Sequence, residues 1–434
     1  MNIVDLIIKK RDGGKLTKEE LNFFIKGVTD SSIPDYQVSA MLMAIYFQSL
    51  DSEETSELTL AMAHSGGTFD LSSIEGIKVD KHSTGGVADT TTLILAPLVA
   101  SCGVPVIKMS GRGLGFSGGT LDKLESIPGF KIDVTEQQAL EFASKSGIVL
   151  MSQTDNLTPA DKKLYALRDV TGTVENIPLI SGSIMSKKIA AGADTIVLDV
   201  KCGSGAFMKD YDSAVELATT MAAIGKSVGR EVTAVISSMD QPLGMYIGNS
   251  LEVIEAIETL KGKVQGDLLE VTLTLGAYML IGAKKVKTVD EGRTLLRENI
   301  NNGKGLEKFK ELLLQQGGNT DIIDEYSLLP LSAEKFSLKA GKSGYIYSMN
   351  TAEIGRASLE TGAGRASKSD TIDFGAGIIM KVRIGDFVKS DDVLADIYSS
   401  TFEKCASSAK YLSEAIQIKD EKPDESKLIL DIIS

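Results

Sequence analysis

Ile77-Lys-Val-Asp80-Lys81-His-Ser-Thr-Gly-Gly-Val-Ala-Asp-Thr-Thr-Thr92 is followed by an apolar stretch and then by Val104-Pro-Val-Ile-Lys108-Met-Ser-Gly-Arg-Gly-Leu-Gly-Phe-Ser-Gly-Gly-Thr-Leu-Asp-Lys-Leu-Glu125. Both segments share one plan: a β-branched run, a glycine-rich turn, then a helix. Strands are read at 77–80 and 104–108, and again at 195–200 and 231–236. Short strands alternating with helical stretches predict the α/β class, with a mostly parallel sheet covered by helices. Such sheets hold ligands in the crevice outside the C-terminal ends of their strands. Two neighbouring strands that each end in a glycine loop therefore predict one shared crevice.

Working outward, residues 1 to about 66 carry apolar side chains at helical spacing and two capping boxes, Thr17 with Glu20 and Asp51 with Glu54. This predicts a small all-helical domain. Residues 158–190 are also helical, with Pro159 at one start and a second start near Ser183, and are expected to pack with it. Residues 76–157 and 191–330 make the large α/β domain. Within it, 250–317 is helix-rich, and Gly317-Gly318 opens a looser connector to about Lys342. Residues 343–434 form a β-rich α+β domain of short alternating strands. Its segment 382–394 resembles the hairpin sandwiches of biotinyl and lipoyl carriers. The modified lysine of those carriers follows the Gly-Asp turn, whereas Met380-Lys381 precedes it, so the domain is read as structural.

At 434 residues the chain is long enough for two or three domains. Its net charge of −13 opposes general attraction to nucleic acid or to an anionic membrane, so any phosphate site must be local. Cys102, Cys202 and Cys405 match no zinc or disulfide spacing and fit a reducing compartment. No secretory signal is visible, and no apolar run approaches the roughly 20 residues that span a bilayer. A cytoplasmic location is expected.

The chemistry is expected in the two loops. Lys81 brings charge, Ser83, Thr90, Thr91 and Thr92 bring hydroxyl donors, and the glycines let backbone N–H groups approach an anion. The second loop repeats the pattern with Lys108, Ser110 and Thr120. Either loop alone reads equally well as a tight turn with solvated hydroxyls; together they favour a site. Neither matches the phosphate loop of nucleotide triphosphatases or a dinucleotide fingerprint, so no organic nucleotide cofactor is indicated.

At these residues the sequence resembles the thymidine and pyrimidine-nucleoside phosphorylases. The resemblance runs through Ser110-Gly-Arg-Gly-Leu-Gly, Gly118-Gly-Thr-Leu-Asp-Lys-Leu-Glu125, Lys81-His-Ser-Thr-Gly-Gly, Leu157-Thr-Pro-Ala-Asp-Lys, Tyr165-Ala-Leu-Arg-Asp169, Ile184-Met-Ser-Lys-Lys188 and Gly203-Ser-Gly-Ala-Phe-Met208. It implies reversible phosphorolysis of uridine, thymidine or deoxyuridine, with inorganic phosphate as co-substrate and no organic cofactor. It implies phosphate held by Lys81, His82, Ser83, Thr92, Lys108, Met109, Ser110 and Thr120. The pyrimidine edge would be read by Arg168, Ser183 and Lys187, against an apolar wall of Leu114, Val174, Ile180 and Phe207. His82, Arg168 and Lys187 would be the catalytic set, with Lys187 stabilising negative charge on the departing base. His82 could donate a proton or a hydrogen bond to O2 of the base, or could merely order its loop. His64, outside any glycine loop, reads as a capping or surface residue. A monovalent cation, potassium, is implied at Ala88, Thr90, Leu243, Tyr246 and Glu255. A homodimer is implied as well, in keeping with the amphipathic N-terminal helices.

Three positions depart from the family string: Phe116 stands where a histidine is usual, Ser117 where a threonine is, and Ala88 where a glycine is. Two other readings stay open at this point. One is a phosphoribosyltransferase resembling the anthranilate enzyme, and the other is a nucleoside-binding protein without catalysis.

Overall fold

The computed structural model describes residues 1–113, 118–154, 156–365, 367 and 370–434. It opens with four helices, α1 (Ile3–Arg11), α2 (Lys18–Thr29), α3 (Asp35–Gln48) and α4 (Ser52–Ala63). Both capping boxes form, Thr17 with Glu20 at α2 and Asp51 with Glu54 at α4. Glu54 does more than cap, because it also accepts from the buried Lys10 ammonium of α1 at 2.8 Å. The helices enclose an apolar cluster that includes Leu21, Phe24, Met41, Ile45 and Leu58. His64 is the exposed C-cap of α4.

The chain then enters the α/β part through β1 (Val79–Ser83), α5 (Thr91–Ala100), β2 (Val106–Ser110), α6 (Thr120–Glu125), α7 (Glu136–Ser146) and β3 (Ile148–Ser152). Helices α8 (Pro159–Thr171) and α9 (Ile177–Ala190) follow, and Ala160, Leu164 and Leu179 join the cluster of α1–α4. The second helix starts at Ile177, not near Ser183: the Asn176 side chain accepts from Leu179 N–H at 3.1 Å, and Pro178 lies in the first turn. Gly182 sits mid-helix, where any Cβ would meet Met62 of α4 at 2.9 Å. Gly182 is thus a close helix–helix contact.

Next come β4 (Thr195–Cys202), α10 (Tyr211–Ser227), β5 (Glu231–Ser238), β6 (Tyr246–Ile247) and the helices α11 (Asn249–Leu260), α12 (Asp267–Gly282), α13 (Val289–Asn301) and α14 (Lys304–Gln315). β1, β4 and β5 run parallel in one sheet, with β4 central and buried along its whole length, and β2 pairs with β3 in parallel beside them. β1 runs past Asp80 to Ser83 and β4 past Val200 to Cys202, beyond the apolar runs that announced them. The extra residues are polar, and buried ion pairs carry the sheet through them.

The C-terminal part comprises β7 (Glu334–Lys339), β8 (Gly344–Met349), α15 (Thr351–Thr361), β9 (Gly377–Met380), β10 (Phe387–Val388), β11 (Val393–Ser399), α16 (Phe402–Ala415), β12 (Ile416–Lys419) and β13 (Ile429–Ile433). The stretch expected to be a connector contains β7, an edge strand paired antiparallel with β11, whose mostly exposed side chains gave no apolar signal. Two strands tie this part to the α/β body. β6 pairs with β9, and β13 returns to pair antiparallel with β5. The three cysteines are buried and free, and among the described residues no helix is long and apolar enough to cross a membrane.

Candidate active site

Side chains alternate along a strand, so β1 presents Lys81 and Ser83 on one face and Asp80 and His82 on the other. β2 lies beside it, where the Val79 N–H donates to Pro105 O at 3.2 Å. Lys108 and Ser110 share one face of β2. Met109, included with them in the phosphate set, turns its side chain into a cluster with Ile107, Val149 and Met151, which leaves only its backbone for a ligand. The Lys108 ammonium donates to the Lys81 carbonyl. The two strand ends therefore meet, and each continues into its glycine loop.

Charge in this crevice does not balance. Among the described residues, four buried lysines, Lys81, Lys108, Lys188 and Lys201, face three carboxylates, Asp80, Asp89 and Asp199. Lys188 lies 2.8 Å and Lys108 3.5 Å from Asp80. Lys201 lies 2.7 Å from Asp199, and Ser237 is hydrogen-bonded to both. The Lys81 ammonium is 3.3 Å from Asp199 and 3.7 Å from Asp89, yet it makes no hydrogen bond to any described residue, and neither does the buried Ser110 hydroxyl. Leaving such groups unsatisfied costs about 1–3 kcal/mol each. An anion between the strand ends would satisfy both.

Burial and then Lys188 push the Lys108 ammonium down to about 7, against the pull of Asp80. Burial works to raise the Asp89 carboxyl, but Lys81, Lys201 and Lys123 hold it well below its ordinary range. Asp89 also accepts from the Thr91 N–H at 3.2 Å, which folds the first loop onto the start of α5. Thr92, in that first turn, lines a small cavity with Lys81 and Lys108, and Thr120 opens α6 at the end of the second loop. Burial and four lysines, Lys188 foremost, hold His82 well below the ordinary histidine value. Its imidazole is neutral at pH 7, so it offers an N–H rather than a titrating proton.

Across the crevice stand α8 and α9. Lys187 donates to Asp161 of α8 and, at 2.8 Å, to the Ser183 hydroxyl. Arg168 is buried and spends its guanidinium on Thr173 O (3.1 Å), Val174 O (2.6 Å) and Leu179 O (3.0 Å), and burial pushes it down to about 10. It thus orders the segment carrying Val174 and Ile180. Phe207, 46% exposed, lies on the loop after β4 and would touch a Cβ at Gly85 at 3.5 Å, so it overhangs the first glycine loop. Leu114, Phe116 and Ser117 lie outside the described residues. Asp80, Asp161, Asp199, Lys188 and Lys201 escaped the sequence reading. The signal was there for three of them: Asp80, Asp199 and Lys201 are charges inside strands that bury every neighbour.

The residues named for a cation also come together. Ala88 O accepts from Thr90 N–H at 3.1 Å and Gly244 N–H at 3.2 Å, and Leu243 N–H reaches Val87 O. Glu255 accepts from the N–H groups of Met245 (2.7 Å) and Tyr246 (3.4 Å). Thr90 donates to Glu252 at 2.7 Å. Burial, with Glu252 nearby, pushes Glu255 up to about 8. The donors are all oxygen, but Ala88 O already accepts from two N–H groups, so a monovalent cation would rely on the other oxygens and on Glu255, whose carboxyl would ionise on gaining a positive charge. Arg383 already donates to Leu243 O at 3.4 Å, leaving that carbonyl its second lone pair. Ala88 has φ 55, the left-handed conformation that explains why glycine is usual there.

The chain is 56% identical over 400 residues to the pyrimidine-nucleoside phosphorylase of Bacillus subtilis, covering 92% of each chain. It is 53% identical to that of Geobacillus stearothermophilus over the full length of both. The chain belongs to the pyrimidine-nucleoside phosphorylase family. The staphylococcal relative from Staphylococcus haemolyticus is 55% identical over 96% of each chain. By family profile, residues 4–66 match the glycosyl transferase family helical bundle domain, and 75–306, with α8 and α9 included, match the a/b domain of that family. Residues 345–419 match the pyrimidine nucleoside phosphorylase C-terminal domain. Among solved structures, anthranilate phosphoribosyltransferase from Thermus thermophilus shares the fold, with a TM-score of 0.60 at 18% identity over 71% of this chain and 98% of that one. Phosphorylase family membership thus coincides with a crevice whose buried lysines outnumber its carboxylates.

Proposed function

We propose that the chain is a pyrimidine-nucleoside phosphorylase, a pentosyltransferase that converts uridine, thymidine or deoxyuridine and inorganic phosphate into the free base and the (2-deoxy-)α-D-ribose 1-phosphate. The observation that carries this reading is the pair of donors where two glycine loops converge, the Lys81 ammonium, ion-paired with Asp199 and Asp89 but hydrogen-bonded to no described residue, and the Ser110 hydroxyl without a described hydrogen-bond partner, in a crevice with one lysine more than its carboxylates. Phosphate there would be held by Lys81, Ser83, Thr92, Lys108, Ser110 and Thr120, and would face C1′ of a nucleoside whose base lies against α8 and α9. As the glycosidic bond lengthens, C1′ becomes oxocarbenium-like and phosphate attacks from the opposite face. Negative charge growing on the base is met by the Lys187 ammonium and the His82 N–H. Positioning and fixed charge are large terms in such a transfer, and no covalent enzyme intermediate is needed. Arg168, with most of its donors on backbone carbonyls, chiefly shapes the base side and has limited capacity left for the ring.

A potassium ion held by Ala88, Thr90, Leu243, Tyr246 and Glu255 would neutralise Glu255 and fix the turn after the first loop. The half-exposed apolar residues of α1 and α3, with Tyr36 74% and Phe47 75% exposed, favour a homodimer through the helical domain. Cytoplasmic placement agrees with three free thiols.

The test is release of uracil or thymine from uridine or thymidine by the purified protein with and without phosphate. Base and pentose 1-phosphate should appear only with phosphate. Nucleoside binding by calorimetry without turnover would instead favour a non-catalytic binder. Activity on anthranilate and phosphoribosyl pyrophosphate would favour the transferase whose fold this chain shares.

A further inference from the structure

The second glycine loop leaves β2 at Ser110 and returns at Thr120, and its two ends close at one side chain. Asp122 Oδ2 accepts from the Gly113 N–H at 2.7 Å. Gly119 packs so tightly there that a Cβ would lie 2.0 Å from Gly113 N and 2.5 Å from Asp122 Oδ2. Asp122 is thus the knot at the neck of the loop, and it is buried.

Its other oxygen is held from a different domain. Arg365 Nη1 donates to Asp122 Oδ1 at 2.7 Å across 243 positions of sequence, and its side chain is largely buried. Arg112 also reaches that oxygen, at 3.4 Å, but it is committed to Glu125 through both of its terminal nitrogens. Arg365 is the cation dedicated to Asp122. Its own position is built: α15 ends at Gly362 in the left-handed conformation, Ala363 N–H donates to Thr361 Oγ1 at 3.3 Å, and Asn249 of α11 holds Ala363 O at 2.8 Å.

We propose that Arg365 is a positioning residue for phosphate: the C-terminal domain uses it, through Asp122, to fix the neck of the glycine loop that follows Lys108 and Ser110. It touches no substrate itself. The inference rests on the phosphorylase reading, and it separates the two substrates, because Asp122, in the first turn of α6, closes the second glycine loop and lies on neither α8 nor α9.

Initial rates with phosphate and uridine varied independently test this. Arg365→Ala should raise the KM for phosphate about tenfold, the scale of a lost charge-assisted hydrogen bond, with the KM for uridine within about twofold and kcat less affected. Arg365→Lys should recover most of the loss. In an Asp122→Asn background, the Arg365→Ala change should add little, since the cycle isolates action through that carboxylate. An unchanged phosphate KM, equal rises in both KM values without rescue by lysine, or full additivity with Asp122→Asn would overturn the proposal. Should the alanine variant be insoluble, Arg365→Gln is read by the same criteria. A parent protein that releases no base fails the functional reading, whereas an active parent with an indifferent Arg365 fails only this inference.

Discussion

Lys108 donates its ammonium hydrogen to the main-chain carbonyl of Lys81, so the two strands that end in glycine loops are joined by a side chain whose proton burial and Lys188 loosen. Below about pH 7 this lysine is charged; above it the proton is shed. A bound phosphate dianion favours the charged form, so binding takes up a proton on the alkaline side. Phosphate affinity should therefore fall as pH rises above 7, by up to about tenfold per unit once the lysine is mostly neutral. Titration calorimetry from pH 6 to 9, repeated in buffers of different ionisation heat, measures both the affinity and the proton uptake. In Lys108→Gln the proton uptake assigned to the lysine should vanish.

His82 makes a prediction of the opposite kind. Because burial and neighbouring lysines hold it neutral, its loss removes a hydrogen-bond donor and not a titrating acid. His82→Gln should lower kcat/KM for uridine by about 10- to 100-fold, the scale of one donor to developing charge. The shape of the pH–rate profile between 6 and 8 should match that of the parent. Loss of an alkaline limb in the variant would show that the imidazole had been transferring its proton.

Ala88 sets two small terms against each other. Its left-handed backbone costs about 1–2 kcal/mol, while its methyl group, buried in the apolar cluster of the C-terminal part, contributes about 0.8 kcal/mol. Ala88→Gly should therefore shift chemical denaturation by less than about 1 kcal/mol. Ala88→Val keeps the strain and adds a branched side chain at positive φ, so it should destabilise by about 3 kcal/mol or more. If potassium binds here, Ala88→Gly should retain any rise in Tm that potassium gives the parent.

The residues proposed for phosphate lie on β1 and β2 and at the starts of α5 and α6, and Arg168, Ser183 and Lys187, proposed for the base, lie on α8 and α9, which pack with the N-terminal helices. Simultaneous occupancy is expected to draw the two groups together. Small-angle scattering should show a smaller radius of gyration with phosphate and an unreactive nucleoside analogue together than with either alone. An unchanged radius would rule closure out.

Most of the architecture was legible because the apolar periods and the glycine loops agreed with each other. Thr17 with Glu20 and Asp51 with Glu54 announced their helices by local chemistry alone, and both caps formed. What could not be read depended on contacts distant in sequence. β1 runs on through Lys81 and β4 through Lys201 because Asp199 lies against both ammonium groups, a pairing that no local pattern announces. Ser183 sat inside a helix because Asn176 and Pro178, residues without apolar signal, fixed its start. The site was legible as a list of donors but not as a balance of charge. The carboxylates that face those lysines came from β1, the first glycine loop and β4, and their number showed the crevice to be one negative group short.

The return of β13 to the sheet of β1, β4 and β5 gives the C-terminal domain two moorings, one at β6 with β9 and one at β5 with β13. Two attachments leave a body at most rotation about the line that joins them, and the Arg365–Asp122 ion pair is a third contact that resists it. Opening and shutting of the crevice is therefore expected of the helical side, with the β-rich end as the steadier jaw.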